Sequence, residues 1–154
     1  AHEATCFLYN GESMAPGYEK GQISEDGKYI YFISGWQGEV DVYRAAVEGD
    51  AEIVRITRGP HYYKSMGEIS GGKSVMIKGD STHVPQLVLL DLESGEETLL
   101  VDPNPWLCDL AIEKPYEQWI DTLDGKGRVH GWILPPQNRE PGKKYPAGCR
   151  HCPA

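Results

Sequence analysis

The chain has 154 residues, 40% of them hydrophobic, and a formal net charge of −8. That composition supports a packed globular core and argues against wholesale disorder. It offers no basic stripe to neutralise phosphates, which excludes a nucleic-acid partner, and no apolar run long enough to cross a bilayer, so no membrane partner is expected.

The opening Ala1-His2-Glu3-Ala4 has no basic region followed by a long apolar core and does not read as a secretory signal. Residue 1 need not be the natural start. Gly11-Glu12-Ser13-Met14-Ala15 looks like a degraded nucleophile elbow, but Pro16-Gly17 follows where an elbow requires a helix. Ser13 is therefore read as a loop serine.

From Gly27 the chain repeats itself at an offset of 45 residues. Gly27-Lys28 precedes the apolar run Tyr29–Ile33, and Gly72-Lys73 precedes Ser74–Ile77. The same offset carries Val42 onto Leu87, Val47 onto Leu92, Glu52 onto Glu97 and Ile56 onto Val101, while Ile23-Ser24 matches Ile69-Ser70 after a one-residue slip. Runs rich in β-branched and aromatic residues, separated by Gly-containing turns, predict antiparallel strands over 29–34, 40–46 and 52–57, then 74–78, 86–92 and 97–101. His61–Met66, between the two sets, reads as a poor buried strand. A period of about 40–45 residues with four strands per unit is the signature of β-propeller blades. Continuous apolar runs such as Leu87–Leu90 suit strands covered on both faces. A β-sandwich with recurring strands is the alternative.

The repeat then stops. Asn104-Pro105-Trp106 leads through Cys108–Ile112 to Glu117–Thr122. A turn at Asp124–Gly127 opens onto Arg128–Leu134, which Pro135-Pro136 ends because proline cannot continue a ladder. This is read as a hairpin of a different module. Residues 1–21 thus form an N-terminal segment that would end a preceding blade, 22–103 two four-stranded blades, 104–146 the junction, and 147–154 an aberrant or disordered tail. The fold class is all-β.

The stretch from Trp119-Ile120-Asp121 through Asp124-Gly125-Lys126-Gly127 and Gly131-Trp132-Ile133-Leu134-Pro135-Pro136 to Lys143-Lys144-Tyr145-Pro146 resembles the prolyl oligopeptidase family of serine peptidases, and most of all its acylaminoacyl-peptidase and dipeptidyl-peptidase branches. Asp26-Gly27-Lys28 and Val42-Tyr43-Arg44 are similar to the family's propeller, so the resemblance covers about residues 22–146. It implies a partial propeller followed by the hairpin that begins an α/β-hydrolase domain, with short peptides as substrates of the parent enzyme. After Tyr145-Pro146 the family should show an apolar strand and a His-Gly-Gly-Pro segment. Here Ala147-Gly148-Cys149-Arg150-His151-Cys152-Pro153-Ala154 stands instead, as after a frame shift or truncation. The family's serine, aspartate and histidine lie further on, so no catalytic residue is assigned and the chain is expected to be an inactive fragment. The rival reading is a non-enzymatic propeller-type interaction module.

Other motifs are weighed against plainer roles. Gly67–Ser74 satisfies the phosphate-loop pattern G-x-x-x-x-G-K-S, and Leu87–Asp91 resembles the strand that carries a magnesium-binding aspartate. The pattern needs a helix after the loop, and Ser74-Val75-Met76-Ile77 is a poor helix start, so no cofactor is expected. His61, His83 and His130 have no obvious serine partner. Trp36, Tyr43, Tyr62 and Tyr63 suit packing between blades better than a substrate funnel. Cys6, Cys108, Cys149 and Cys152 lack disulfide or zinc-knuckle spacing. Cys149, His151 and Cys152 fall short of a four-ligand zinc site, so no metal is assigned. Reduced thiols in a cytoplasmic protein are the simplest reading. Two blades cannot close a ring, so the isolated chain is expected to self-associate.

Overall fold

The structure, a computed structural model, describes residues 21–49 and 52–148. The readings made on Cys6, Ser13, Cys149, His151 and Cys152 lie outside the described residues. The chain divides into two units, Ala1–Asp109 and Leu110–Ala154. The described residues are all-β and contain no α-helix.

The first unit holds β1 (Gln22–Ile23), β2 (Tyr29–Trp36), β3 (Glu39–Ala46), β4 (Ile53–Arg55), β5 (His61–Met66), β6 (Lys73–Asp80), β7 (Gln86–Asp91) and β8 (Glu97–Val101), followed by a 3-10 turn at Pro105–Asp109. Strands β1 to β4 pair antiparallel in chain order, and so do β5 to β8. A single parallel bridge, Val40 to Tyr62, joins these two arrays through β3 and β5. The β2–β3 turn shows the local chemistry. Gln37 and Gly38 have φ of 52° and 84°. Two successive positive φ values give the primed turn whose twist matches that of the flanking strands.

The core lies between the two arrays. Tyr31 and Val42 from the first pack with Tyr63, Met66, Met76, Val88 and Leu90 from the second, and with Leu92 beyond it. Along β6, Ser74 and Met76 face this core while Lys73 and Val75 face outward; along β7, Val88 and Leu90 face in and Leu87 out. The second array therefore carries apolar side chains on both faces. Val75 and Leu87 on the outward face are 41% and 37% exposed. Hydrogen bonds between side chains and backbone also cross between the arrays. The Gln22 side-chain amide donates to the carbonyls of Met66 and Gly67, and Gly71 N–H donates to Glu25.

All six expected strands are present, with β4 trimmed to Ile53–Arg55. The two Gly-Lys turns agree in conformation: Gly27 and Gly72 have φ of 74° and 73°. One expectation is corrected. His61–Met66 is a strand, and Tyr63 and Met66 are among the most buried side chains of the chain. A bulge between Tyr63 and Ser65 in its pairing with β6 puts two inward residues three positions apart, which hides the alternation of a strand.

The second unit holds β9 (Tyr116–Asp121) and β10 (Arg128–Ile133), paired antiparallel from Tyr116–Ile133 to Asp121–Arg128. Asp124 caps the turn between them, accepting from Thr122 Oγ1 and Lys126 N–H. No described residue of this unit is fully buried.

These two faces predict different responses to substitution. Met76→Ala, which removes a fully buried side chain, should cost about 2–5 kcal/mol. Val75→Thr, one residue away on the outward face, should stay within about 0.5 kcal/mol. Urea unfolding of the two variants checks both.

Candidate functional site

The Gly67–Ser74 segment is the tight connection between β5 and β6, which are antiparallel neighbours, and β6 runs straight through Ser74. No helix follows this loop to receive a phosphate, so the match to the phosphate-loop pattern lacks the context the pattern requires. Each of its residues has a reason within the sheet. A Cβ on Gly67 would stand 3.0 Å from the carbonyl oxygen of Val75. Gly72 supplies the positive φ of the turn. Lys73 Nζ lies 2.6 Å from Asp91 Oδ2, and buried Ser74 donates to the Gly67 carbonyl at 2.7 Å. The lysine and hydroxyl that would hold a nucleotide and its cation are thus committed to the protein. Asp91, the suggested magnesium ligand, is the partner of that lysine and also caps the β7–β8 turn through Glu93 N–H and Ser94 N–H.

A buried polar cluster stands where the two arrays meet. Asp41, in the middle of β3, is 1% exposed. Its Oδ1 accepts from Thr57 Oγ1 at 2.9 Å and lies 3.0 Å from His61 Nε2. Its Oδ2 accepts from Nε and Nη2 of Arg55, which also reaches Glu39. Thr57 in turn accepts from Val42 N–H at 3.1 Å. Burial pushes the Asp41 carboxyl upward, but hydrogen bonds from His61, Thr57 and Arg55 outweigh it and hold the group below the usual carboxylate range. The His61 ring meets Tyr63 edge-on at 4.9 Å. Tyr63 hydrogen-bonds Glu97, which pairs with Lys78. Burial, then the Glu97 carboxylate, pushes the Tyr63 hydroxyl well above its ordinary value. The cluster is closed on itself and ties β3, β4 and β5 together. It positions the arrays.

The remaining described histidines have separate settings. His83 lies between Asp80 and Cys108. His130, on β10, stacks on Trp119 at 4.5 Å with Glu117 Oε1 at 3.0 Å from its Nε2. Of the aromatic group, Tyr43 and Tyr63 are fully buried and Trp36 and Tyr62 half-buried, in keeping with packing. Among the described residues no group of three or more His, Cys, Asp and Glu could hold a metal ion. No helix among them is long and apolar enough to cross a membrane. Sequence reasoning missed Asp41, Arg55 and Thr57. The one signal was an aspartate inserted between Val40 and Val42 in an otherwise apolar strand.

No family model matches the chain, and no curated protein matches it by sequence. Solved structures do match its fold. The AtxE2 isopeptidase superposes with a TM-score of 0.66 at 22% identity, over 82% of this chain and 19% of its own. The acylaminoacyl peptidase of Pyrococcus horikoshii gives 0.61 at 23% identity, over 79% of this chain and 18% of its own. A puromycin hydrolase gives 0.53 at 21% identity, over 79% and 18%. All three are serine peptidases of the prolyl oligopeptidase family, and this chain has the fold of a segment of them. It spans about a fifth of their length.

The buried cluster makes a sharp prediction. A carboxylate held below its unfolded value stabilises the fold above pH ~4 and loses that contribution as the pH falls through its folded pKa. Asp41→Asn removes one of the two carboxylates that Arg55 pairs with, leaving Glu39, and should cost about 1.5–3 kcal/mol at pH 7. In urea unfolding, the gap between the parent chain and the variant should narrow as the pH is taken down towards 3.

Proposed function

We propose that this chain is the part of a prolyl oligopeptidase-type serine peptidase in which the last propeller blades hand over to the hydrolase domain. On this reading β1–β4 and β5–β8 are two four-stranded blades, and β9–β10 is the hairpin that starts the hydrolase sheet. The observation that carries it is the two-faced apolar character of the second array. Met76, Val88 and Leu90 are covered by the first array, while Val75 and Leu87 opposite them are not. A sheet needs apolar residues on both faces when neighbours cover both, as in the interior of a propeller. The β9–β10 hairpin likewise exposes Ile120, Val129, Trp132 and Ile133. A lone two-stranded hairpin is marginal in water and gains stability from further strands or a packed helix.

In the parent enzyme the blades would help to restrict access to short peptides, and the hydrolase domain would perform the acyl transfer. This segment would supply part of the gate and the junction, and no catalytic group. The match to the isopeptidase favours a junction over a propeller-only interaction module. It covers 82% of the chain and so extends past the first unit, which ends at Asp109, into the second.

Two measurements test this reading. A serine-reactive fluorophosphonate should leave the chain unlabelled, and stoichiometric labelling of any serine would overturn the non-catalytic assignment. The uncovered face should also make the isolated chain associate, because exposed apolar patches seek partners. Light scattering over a concentration series should show mass rising with concentration, and a Val75→Lys, Leu87→Lys double variant should suppress the rise. A chain that stays monomeric at high concentration and unfolds cooperatively at high temperature would overturn the blade assignment.

A further inference from the structure

Strand β6 ends at Asp80, and the loop that follows folds back on that carboxylate. Asp80 Oδ1 accepts from Thr82 N–H at 2.6 Å, Thr82 Oγ1 at 2.8 Å and His83 N–H at 2.8 Å. Both carboxylate oxygens also face His83 Nδ1, at 3.0 and 2.9 Å. Burial raises the Asp80 carboxyl, but the hydrogen bonds from Thr82 and His83 outweigh it and hold the group below its ordinary range. A carboxylate on Nδ1 fixes the tautomer with its proton there and leaves Nε2 a free acceptor. That Nε2 points at Cys108 Sγ, 3.7 Å away.

Cys108 comes from a distant part of the sequence, on the 3-10 turn after β8. Its placement is built. Gln86 Nε2 donates to Asp102 Oδ2 at 2.8 Å, which holds the end of β8 beside the start of β7. Asp102 then caps Asn104 N–H, and the Asn104 carbonyl accepts from Leu107 N–H. The thiol is exposed, whereas His83 and Asp80 are about two-thirds covered. Nucleophile, base and orienting carboxylate thus stand in line, an arrangement that activates a nucleophile irrespective of the fold it sits on. Nothing in the proposed gating role uses these three residues.

We propose that Cys108 is a thiol–disulfide exchange site, with His83 as its base and Asp80 as the positioning residue. His83 Nε2 takes the thiol proton. Sγ then attacks one sulfur of a small disulfide, the S–S bond breaks, and a mixed disulfide forms on Cys108. The departing thiolate takes the proton back from His83 and leaves as a thiol. Asp80 places negative charge at the site, so the substrate class is a small neutral or cationic disulfide and not an anionic one.

The test is cystamine, with mass spectrometry that reads the adduct on each cysteine separately. Cys108 should react at least about tenfold faster in the folded chain than in concentrated urea, a floor well below the roughly 100-fold or more that a positioned general base typically gives. Cys6, Cys149 and Cys152 serve as reference thiols in the same sample. His83→Ala and His83→Gln should each bring Cys108 down to its urea rate and leave the reference thiols unchanged. Asp80→Asn should give an intermediate rate. Equal folded and urea rates at Cys108 in the unsubstituted chain would overturn the proposal without recourse to any variant. So would an unchanged rate in either His83 variant that keeps its β-sheet circular dichroism.

Discussion

The first unit depends on satisfying one buried carboxylate. Asp41 sits in the middle of a central strand with almost no access to water. An unpaired ion there would cost several kcal/mol, so the fold forms only where donors reach it. Those donors come from three places: Arg55 on β4, Thr57 just beyond it, and His61 at the start of β5. Meeting them fixes the path of the chain from the first array into the second. The apolar contacts follow from that placement. Tyr63 lies two residues after His61, and its burial beside Met66 and Met76 places the second array against the first. Hydrophobic burial supplies most of the driving force, but it is non-directional; the charged cluster selects which faces meet.

The arrays also account for why a chain of this size exposes so much apolar surface. β8 is exposed along its whole length, with Leu99, Leu100 and Val101 all about half accessible. An edge strand of that composition is normally protected by charge, proline or a covering element. Lys78 and Glu97 provide one charged pair near that edge. In a prolyl oligopeptidase-type parent the same surface would be interior, and its composition is ordinary for an interior. On the proposed reading, hydrophobicity that is misplaced for an isolated domain would be well placed for a segment of a ring.

Much of this organisation was legible in the residues. The 45-residue offset located β2, β3, β6, β7 and β8, because turn glycines and β-branched runs act locally and leave local traces. The missed strand β5 shows the limit of that method: its bulge breaks the period-2 pattern that identifies a strand. The site was less legible. Asp41 was visible only as an oddity between two valines, since its partners are 14 to 20 residues away. Cys108 and His83 are 25 residues apart and belong to no motif. Conversely, Gly67–Ser74 matched a motif and had no part in its chemistry. Four residues chosen for a tight antiparallel turn, a close backbone approach, an ion pair and a buried hydroxyl spelled a nucleotide signature by coincidence.

The way the two arrays are joined has a mechanical consequence. Within each array the strands are zipped by ladders of many backbone hydrogen bonds, whereas between the arrays the sheet pairing comes down to the one parallel bridge at Val40 and Tyr62. A load pulling the arrays apart would otherwise meet side-chain packing, the Asp41 cluster and the few hydrogen bonds made by Gln22 and Glu25. The seam would open before either ladder unzipped, and each half would come away with its strands intact. A material scientist would call it a cleavage plane. It lies between modules rather than through them, which is where a molecule assembled from repeats can yield, and re-form, without losing its parts.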